Sequence, residues 1–414
     1  SAVCVTGLIV RSTGHDWSFP GQVVILTLIQ IGGLGFMTLS SSVLMYLRRK
    51  ATLGEMAVIR ESLGEVSTER LPVVLLRCMK LVAIIEGIGA ALLFVRFAWV
   101  VPDGAERLSH LPQALWAAVF HSVSAFCNAG FSIWDDSLMR YRGDVWVNGI
   151  MAGLIVLGGL GFFVLADLEA FVRGRKSTER HRFRYQTRLV LVTTVVLLLV
   201  GAALIWIGER NNPETLGSAS WLEHILVSGF QSITARTAGF NTVEMSDMSI
   251  PSIGVLMALM FIGASPGSCG GGIKTTTFAV LAALAFAAFR RRKQPSFQYR
   301  AFSAVTVRSA VALFFAAFLL VILASVFLML IERGGLPLRE GNSAFAGLLF
   351  EATSAFGTVG LSTGVTPNLK PPSQVCLIVL MFIGRVGPLG LISAAVRSGE
   401  RPAVQLLSEH VQIG

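Results

Sequence analysis

Charge is scarce in this chain. Only 14% of its 414 residues are Asp, Glu, Lys or Arg, while 53% are hydrophobic; soluble proteins carry about 25% charged residues. That shortage excludes an ordinary soluble domain. Histidine is scarce too, and the 6 present show no ligand spacing. The 5 cysteines, Cys4, Cys78, Cys127, Cys269 and Cys376, stand singly in mostly apolar surroundings. They indicate neither a disulfide framework nor a Cys-x-x-Cys metal site, so buried packing is the expected role. No Ser/His/Asp arrangement falls on one recognisable face, so no catalytic chemistry is expected. Alternating ten-residue strand patterns are absent, which excludes a β-barrel, and no cleavable signal pattern heads the chain.

What the chain has instead is long apolar runs. Seven of them, near 20–47, 72–101, 146–170, 188–208, 250–288, 306–331 and 373–397, reach the roughly 20 residues that cross about 30 Å of hydrocarbon as a helix. Backbone groups in lipid need internal partners, so the predicted fold class is an all-α membrane protein. A formal charge of +10 would suit nucleic acid, but its distribution argues against that partner. Arg48, Arg49, Lys50 and Arg60 follow the first run; Arg173, Arg175, Lys176, Arg180, Arg182 and Arg184 follow the third; Arg290, Arg291, Arg292 and Lys293 follow the fifth. By the positive-inside rule these short loops are cytoplasmic.

One short stretch breaks the pattern. FEATSAFGTVGLSTG (Phe350 to Gly364) begins as a helix-like run and stops at a Gly-Thr-Val-Gly cluster. Its grammar recurs in FHSVSAFCNAGFS (Phe120 to Ser132), in FQSITARTAGFN (Phe230 to Asn241) and, truncated, in CVTGL (Cys4 to Leu8). Gly7, Gly130, Gly239 and Gly360 therefore recur about every 110–120 residues, a spacing that means stacked structural units. The apolar helices before them, near 113–126, 221–233 and 343–355, are too short to cross the bilayer, so the segments after them read as re-entrant loops.

Irregular backbone at that depth survives only where it is buried in protein or lines water. The expected architecture is four pseudo-repeated span, pore-helix, span units around a central pore. Their boundaries are 1–50, 51–185, 186–295 and 296–414, with the first unit incomplete. Glycine tolerates φ > 0 and lets neighbouring carbonyls turn inward, and a carbonyl ring can replace an ion's hydration shell. Half-helices whose carboxyl ends aim at the centre would add partial negative charge. The candidate filter is Thr6 and Gly7; Asn128, Ala129 and Gly130; Thr237, Ala238 and Gly239; and Thr358, Val359 and Gly360. The bland alternative, glycines serving only packing and turns, weakens with each copy in register.

Together with IGGLGFM (Ile31 to Met37), LGGLGFF (Leu157 to Phe163) and GASPGSCGGGIKTTTF (Gly263 to Phe278), these segments resemble the Trk/Ktr/HKT superfamily of potassium transporters. Within it the chain is most similar to the KtrB-type membrane subunits of bacterial Ktr uptake systems. Against that four-unit plan, the sequence lacks the first span and first half-helix. The resemblance implies K⁺ as the transported ion, held by filter backbone carbonyls, with Na⁺ as an influence on transport. Superfamily members that select sodium commonly resemble this pattern with serine at the first filter glycine, which is Gly7 here. The resemblance also implies a homodimer in the bacterial inner membrane, resting on a KtrA-like ring of cytosolic RCK-type subunits. ATP or ADP would bind that partner, and this chain would carry no organic cofactor. The short tail after Arg397 is expected to hold no cytosolic domain, so regulation is expected from a separate subunit. The basic loops suit either such a partner or anionic lipid headgroups.

Two further anomalies point to a gate. The fifth apolar run is interrupted by Gly263, Ala264, Ser265, Pro266, Gly267, Ser268, Cys269, Gly270, Gly271, Gly272, Ile273 and Lys274, too rich in glycine and proline for a continuous helix. A Walker-A reading fails, because Lys274 falls one place late after Gly272. A mobile plug across the ion path is the functional expectation; a static packing kink is the alternative. Arg385 sits near the middle of the last run, where a charge costs about 2.5–3.5 kcal/mol on insertion scales. It is expected to face the pore as a cation barrier, or else to pair with a carboxylate such as Glu86 or hold helix termini. Lys80, Glu86 and Arg96 are explained by pairing or snorkelling. Asp135, Asp136 and Asp247 either gather cations at the outer mouth or are merely solvated.

Three functions remain in view: a gated K⁺ pathway driven by membrane potential, an alternating-access carrier, and a non-conducting anchor for a cytosolic protein. A fourfold ring of glycines favours the first.

Overall fold

The computed structural model describes residues 1–48, 71–99, 107–174, 183–292, 294–333 and 338–387. The basic residues Arg49, Lys50, Arg60, Arg175, Lys176, Arg180, Arg182 and Lys293, the end of the last apolar run and the tail after Arg397 lie outside the described residues.

Helices account for nearly all regular structure. They are α1 (Phe19–Arg48), α2 (Leu71–Trp99), α3 (Arg107–Phe126), α4 (Val145–Leu160), α5 (Phe162–Gly174), α6 (Tyr185–Glu209), α7 (Trp221–Thr234), α8 (Ile250–Phe261), α9 (Thr275–Phe289), α10 (Ala304–Arg333), α11 (Leu338–Gly357) and α12 (Pro371–Val386). A two-residue hairpin, Ser296–Phe297 with Arg300–Ala301, joins α9 to α10.

Among the described residues, α2, α6 and α10 are long and apolar enough to span a membrane singly. Their outward faces stay apolar: Val192, Val196 and Leu199 on α6, and Phe315, Leu319 and Leu323 on α10, are all exposed. Exposed hydrocarbon on this scale makes sense only against lipid. The chain is a multi-pass membrane protein.

The short helices α3, α7 and α11 lie beside α2, α6 and α10. Their starts are fixed locally. Ser220 and Glu223 form a capping box at α7, with Ser220 N donating to Glu223 Oε2 at 2.9 Å and Glu223 N to Ser220 Oγ at 3.3 Å. Those two bonds satisfy amides that a helix start leaves open. Small residues then bring the layers close. Gly201 of α6 faces Ser232 of α7, whose hydroxyl donates to Leu198 O at 2.8 Å.

Among the described residues three of the seven apolar runs do not form single helices, and one of them, 373–397, stops as a helix at Val386, where Gly387 has φ +84°. The run 250–288 breaks between α8 and α9, as its composition predicts. The run 146–170 was expected to be one span, yet α4 and α5 meet at 108° around Gly161. The break falls on a glycine that can take a left-handed angle: Gly161 has φ +88°, Pro266 O fills the space where a side chain would sit, and Phe162 N donates to Gly267 O at 3.0 Å. A glycine that reads as helix packing is the place where the interrupted fifth run docks.

A candidate cation pathway

The four predicted filter segments meet at one axis in cyclic order. A Cβ built on Gly7 would strike Ala129 O, one on Gly130 would lie 2.8 Å from Ala238 O, one on Gly239 would strike Val359 O, and one on Gly360 would strike Thr6 O. Each ring glycine therefore faces the carbonyl of the residue preceding the next ring glycine, and the fourth segment closes onto the first. Four carbonyl oxygens, of Thr6, Ala129, Ala238 and Val359, stand between neighbouring segments.

The backbone conformation repeats as closely as the contacts. Gly7, Gly130, Gly239 and Gly360 have φ of +93°, +70°, +82° and +93°. Two residues earlier, Val5, Asn128, Thr237 and Thr358 also have positive φ, of +53°, +56°, +81° and +50°. A non-glycine residue there is uncommon, and a β-branched one is a marked outlier. Such strain persists only where the surroundings over-determine it. In an ordinary strand successive groups alternate sides; interposing left-handed residues breaks that alternation and lets consecutive carbonyls share a side.

Each segment is propped by a hydroxyl from the turn before it. Ser1 Oγ accepts from Gly7 N at 3.1 Å and Ser354 Oγ from Gly360 N at 3.0 Å, while Ser124 Oγ donates to Phe131 O and Thr234 Oγ1 to Phe240 O, each at 2.7 Å. The following helices close in through small residues: a Cβ on Gly32, Gly158 or Gly384 would strike Val3 O, Phe126 O or Phe356 O, each four residues before a ring glycine. The glycines of IGGLGFM and LGGLGFF thus let helices α1 and α4 pack directly on the ring's supports. Helices α3, α7 and α11 run by their carboxyl ends into the ring segments, bringing their negative dipole ends to it.

On one side the ring opens into a vestibule of about 370 Å³ whose wall includes all four ring glycines together with Asp135, Glu244 and Arg11. Of the acidic residues considered from sequence, Asp135 is on this wall and receives a bond from Ser12 Oγ. Asp136 is held by Arg140 at 2.6 Å, which raises the Arg140 guanidinium above its ordinary value. Asp247 gives its carbonyl to Asn212 Nδ2 at 2.8 Å. Glu244 and Arg11 carry no motif and were not legible in advance.

On the other side lies the interrupted run 263–274, buried throughout most of its length. Gly271 N donates to Thr358 Oγ1 at 2.8 Å, and Gly270 lies against Thr237 Oγ1. The Thr6 and Thr237 hydroxyls are buried without a hydrogen-bond partner among the described residues. Bonds from Ser265 N to Gly159 O (3.1 Å) and from Ile273 N to Phe261 O (3.2 Å) fasten the two ends of the segment. Lys274 Nζ donates to Gly270 O at 2.7 Å. Arg385, buried on α12, donates from Nη2 to Gly32 O at 2.5 Å and from Nη1 to Cys269 O. The arginine thus bridges the segment to α1. Glu86 instead meets Gln30 Nε2 at 3.2 Å and Cys127 Sγ at 3.8 Å, and Arg96 pairs with Asp144 at 2.7 Å.

A bundle of membrane helices gathered round a fourfold carbonyl ring, open above and covered below, defines the class: a membrane transport protein rather than an enzyme. The family profile described as "TrkH: Cation transport protein" matches residues 1–403, and the chain belongs to that family. It is 37% identical to the Ktr system potassium uptake protein B of Vibrio alginolyticus over 391 residues, 94% of this chain and 81% of the relative. It is also 37% identical to the Bacillus subtilis protein of the same name over 95% of this chain and 83% of the relative. The potassium/sodium uptake protein NtpJ of Enterococcus hirae is 34% identical over 97% of this chain and 84% of the relative. The crystal structure of the potassium transporter TrkH from Vibrio parahaemolyticus superposes with a TM-score of 0.71 at 19% identity, covering 95% of this chain and 76% of that one, and so shares its fold.

Proposed function

We propose that this chain is the K⁺-translocating membrane subunit of an uptake system. In this reading the four units 1–50, 51–185, 186–295 and 296–414 each give one segment to a selectivity filter. The observation that carries it is the closed cycle of contacts among Gly7, Gly130, Gly239 and Gly360, each set against its neighbour's carbonyl. Oxygens held at fixed spacing substitute for the water shell of an entering ion. The uptake relatives named above support K⁺ as that ion, and the potassium/sodium relative supports a part for Na⁺.

The loop from Gly263 to Lys274 acts as the gate in this reading, with Arg385 as its latch. It crosses below the ring, its ends are anchored, and its middle has only glycines beside the ring threonines. Two cations, Lys274 and Arg385, sit where a permeating cation would exit, so they oppose passage while the loop is in place. Moving the loop breaks the Arg385 and Thr358 bonds together and opens the axis.

Two relatives are named as parts of a Ktr system, which supports further subunits. We assign a homodimer in the bacterial inner membrane, with a separate cytosolic RCK-type ring that binds ATP or ADP.

The test is K⁺ uptake in a potassium-auxotrophic bacterium carrying wild type, Gly239→Ser or Gly360→Ser. A Cβ at either position collides with backbone, so growth at low K⁺ should be lost while protein still reaches the membrane. Retained growth with both substitutions would overturn the filter reading.

A further inference from the structure

Three polar side chains inside the short helices contribute nothing to the ring's own carbonyls. His121, Gln231 and Glu351 are each fully buried, one in each of α3, α7 and α11, and stand eight or nine residues before a ring glycine. Burying such groups is costly unless they are hydrogen-bonded. Each reaches the segment just past its own ring glycine. His121 Nε2 meets Ser132 Oγ at 3.0 Å, and Gln231 Nε2 donates to Thr242 Oγ1 at 3.3 Å. Glu351 gathers far more: Oε1 accepts from Ser362 Oγ (2.7 Å), Thr363 N (2.9 Å) and Thr363 Oγ1 (3.3 Å), and Oε2 from Thr366 Oγ1 (2.5 Å). Ser132 and Ser362 belong to the vestibule wall, so these bonds tie the outer end of the ring back to the helices that support it.

Apolar side chains would fill the same space at lower desolvation cost. What the polar ones add is a fixed distance between helix and filter segment. A carbonyl ring distinguishes a larger from a smaller cation only while it resists closing on the smaller one. The segment most firmly tied contributes most to that resistance.

We propose that His121, Gln231 and Glu351 are positioning residues for the second, third and fourth ring segments, and that Glu351 sets how well the ring distinguishes K⁺ from Na⁺. The proposal rests on reading the ring as the filter. The ties are unequal in strength, four bonds at Glu351 against one at Gln231, so their loss should be felt unequally.

The experiment measures Na⁺ competition against Rb⁺ uptake in proteoliposomes containing wild type, Glu351→Ala, Glu351→Gln or Gln231→Leu, each checked by size exclusion in detergent. Glu351→Ala should lower discrimination by at least about tenfold, the equivalent of ~1.4 kcal/mol. Glu351→Gln should recover most of that loss, because its amide oxygen can still accept from Ser362 and Thr363. Gln231→Leu should have a smaller effect than Glu351→Ala. Folded Glu351→Ala with wild-type discrimination would overturn the proposal. If Glu351→Ala does not accumulate, Thr366→Val, which removes one bond, takes its place, and unchanged discrimination in that variant overturns the proposal equally. Gly360→Ser run alongside separates the two readings. If it leaves both Rb⁺ uptake and discrimination intact, the ring is not the filter; if it abolishes uptake or discrimination while the Glu351 and Thr366 variants keep wild-type discrimination, only the positioning role fails.

Discussion

The ring and the layer beneath it are built on opposite plans. In the ring four segments of different sequence adopt one conformation, with paired positive φ angles two residues apart and each glycine against the next segment's carbonyl. In the layer below repetition is only partial: Gly161 and Gly387 end α4 and α12 with nearly equal φ of +88° and +84°, but the other features there differ from copy to copy among the described residues. The helix pair α8 and α9 is parted by a glycine-rich loop, α4 and α5 bend at Gly161 to receive that loop, and α12 alone supplies a buried arginine to it. With the ring read as the filter and the loop as the gate, as proposed, the contrast has a physical reason. Coordinating a spherical ion rewards equal oxygens on all sides, whereas a barrier needs a single movable part and a single place to hold it.

Substitutions can break each half separately. The largest effect is expected in the ring: Gly239→Ser or Gly360→Ser should abolish K⁺ uptake, because either adds atoms where Val359 O or Thr6 O already lies. Next comes the layer below, where the sign reverses. Deleting residues 267–271, or Arg385→Ala, should raise cation flux in proteoliposomes several-fold while leaving K⁺ preferred over Na⁺. Unchanged flux from correctly assembled protein would make the loop a static kink. Thr358→Val joins the two halves, since it leaves Gly271 N without its acceptor, a loss of about 1–3 kcal/mol for a buried group. It should raise flux less than the deletion, and equal effects would mean that the loop has no other anchor near the ring. The smallest effect concerns only stability. Ser220→Ala removes the α7 cap at a cost of about 1 kcal/mol, read as a lower melting temperature with unchanged selectivity. The Ser220 amide also holds the Glu223 carboxyl below its usual range, so the cap's contribution is present at neutral pH and lost as pH falls through that lowered value.

Much of the ring was legible in the sequence, and for a definite cause. Its glycines are required by backbone angles that few other residues adopt, so their type and spacing survive in each copy while the surrounding residues differ. The interruption of the fifth run was equally plain, because Gly263, Pro266 and Gly270 to Gly272 cannot continue a helix. Less could be seen of what the interruption touches. Gly161 reads as one more small residue in an apolar span, and neither its left-handed φ nor the approach of Pro266 and Gly267 from a distant segment shows in the residues around it. Arg385 announced itself as an intramembrane charge, yet its partners include the main-chain carbonyls of Gly32 and Cys269, which leave no mark on side-chain identity. Glu351 was missed for a related reason. Within the opening letters of the repeat it stands where the other copies have histidine and glutamine, so no common residue type flags the position. Only the bonds to Ser362, Thr363 and Thr366 show that the three do one job.

The account depends on a monovalent cation resting among the carbonyls of Thr6, Ala129, Ala238 and Val359. Anomalous diffraction from crystals grown in thallium, a heavy stand-in for K⁺, tests it most directly. The account predicts a peak on the ring axis, bounded by those four oxygens, that fades when Na⁺ replaces thallium. An empty axis, with thallium bound elsewhere in the protein, would contradict it.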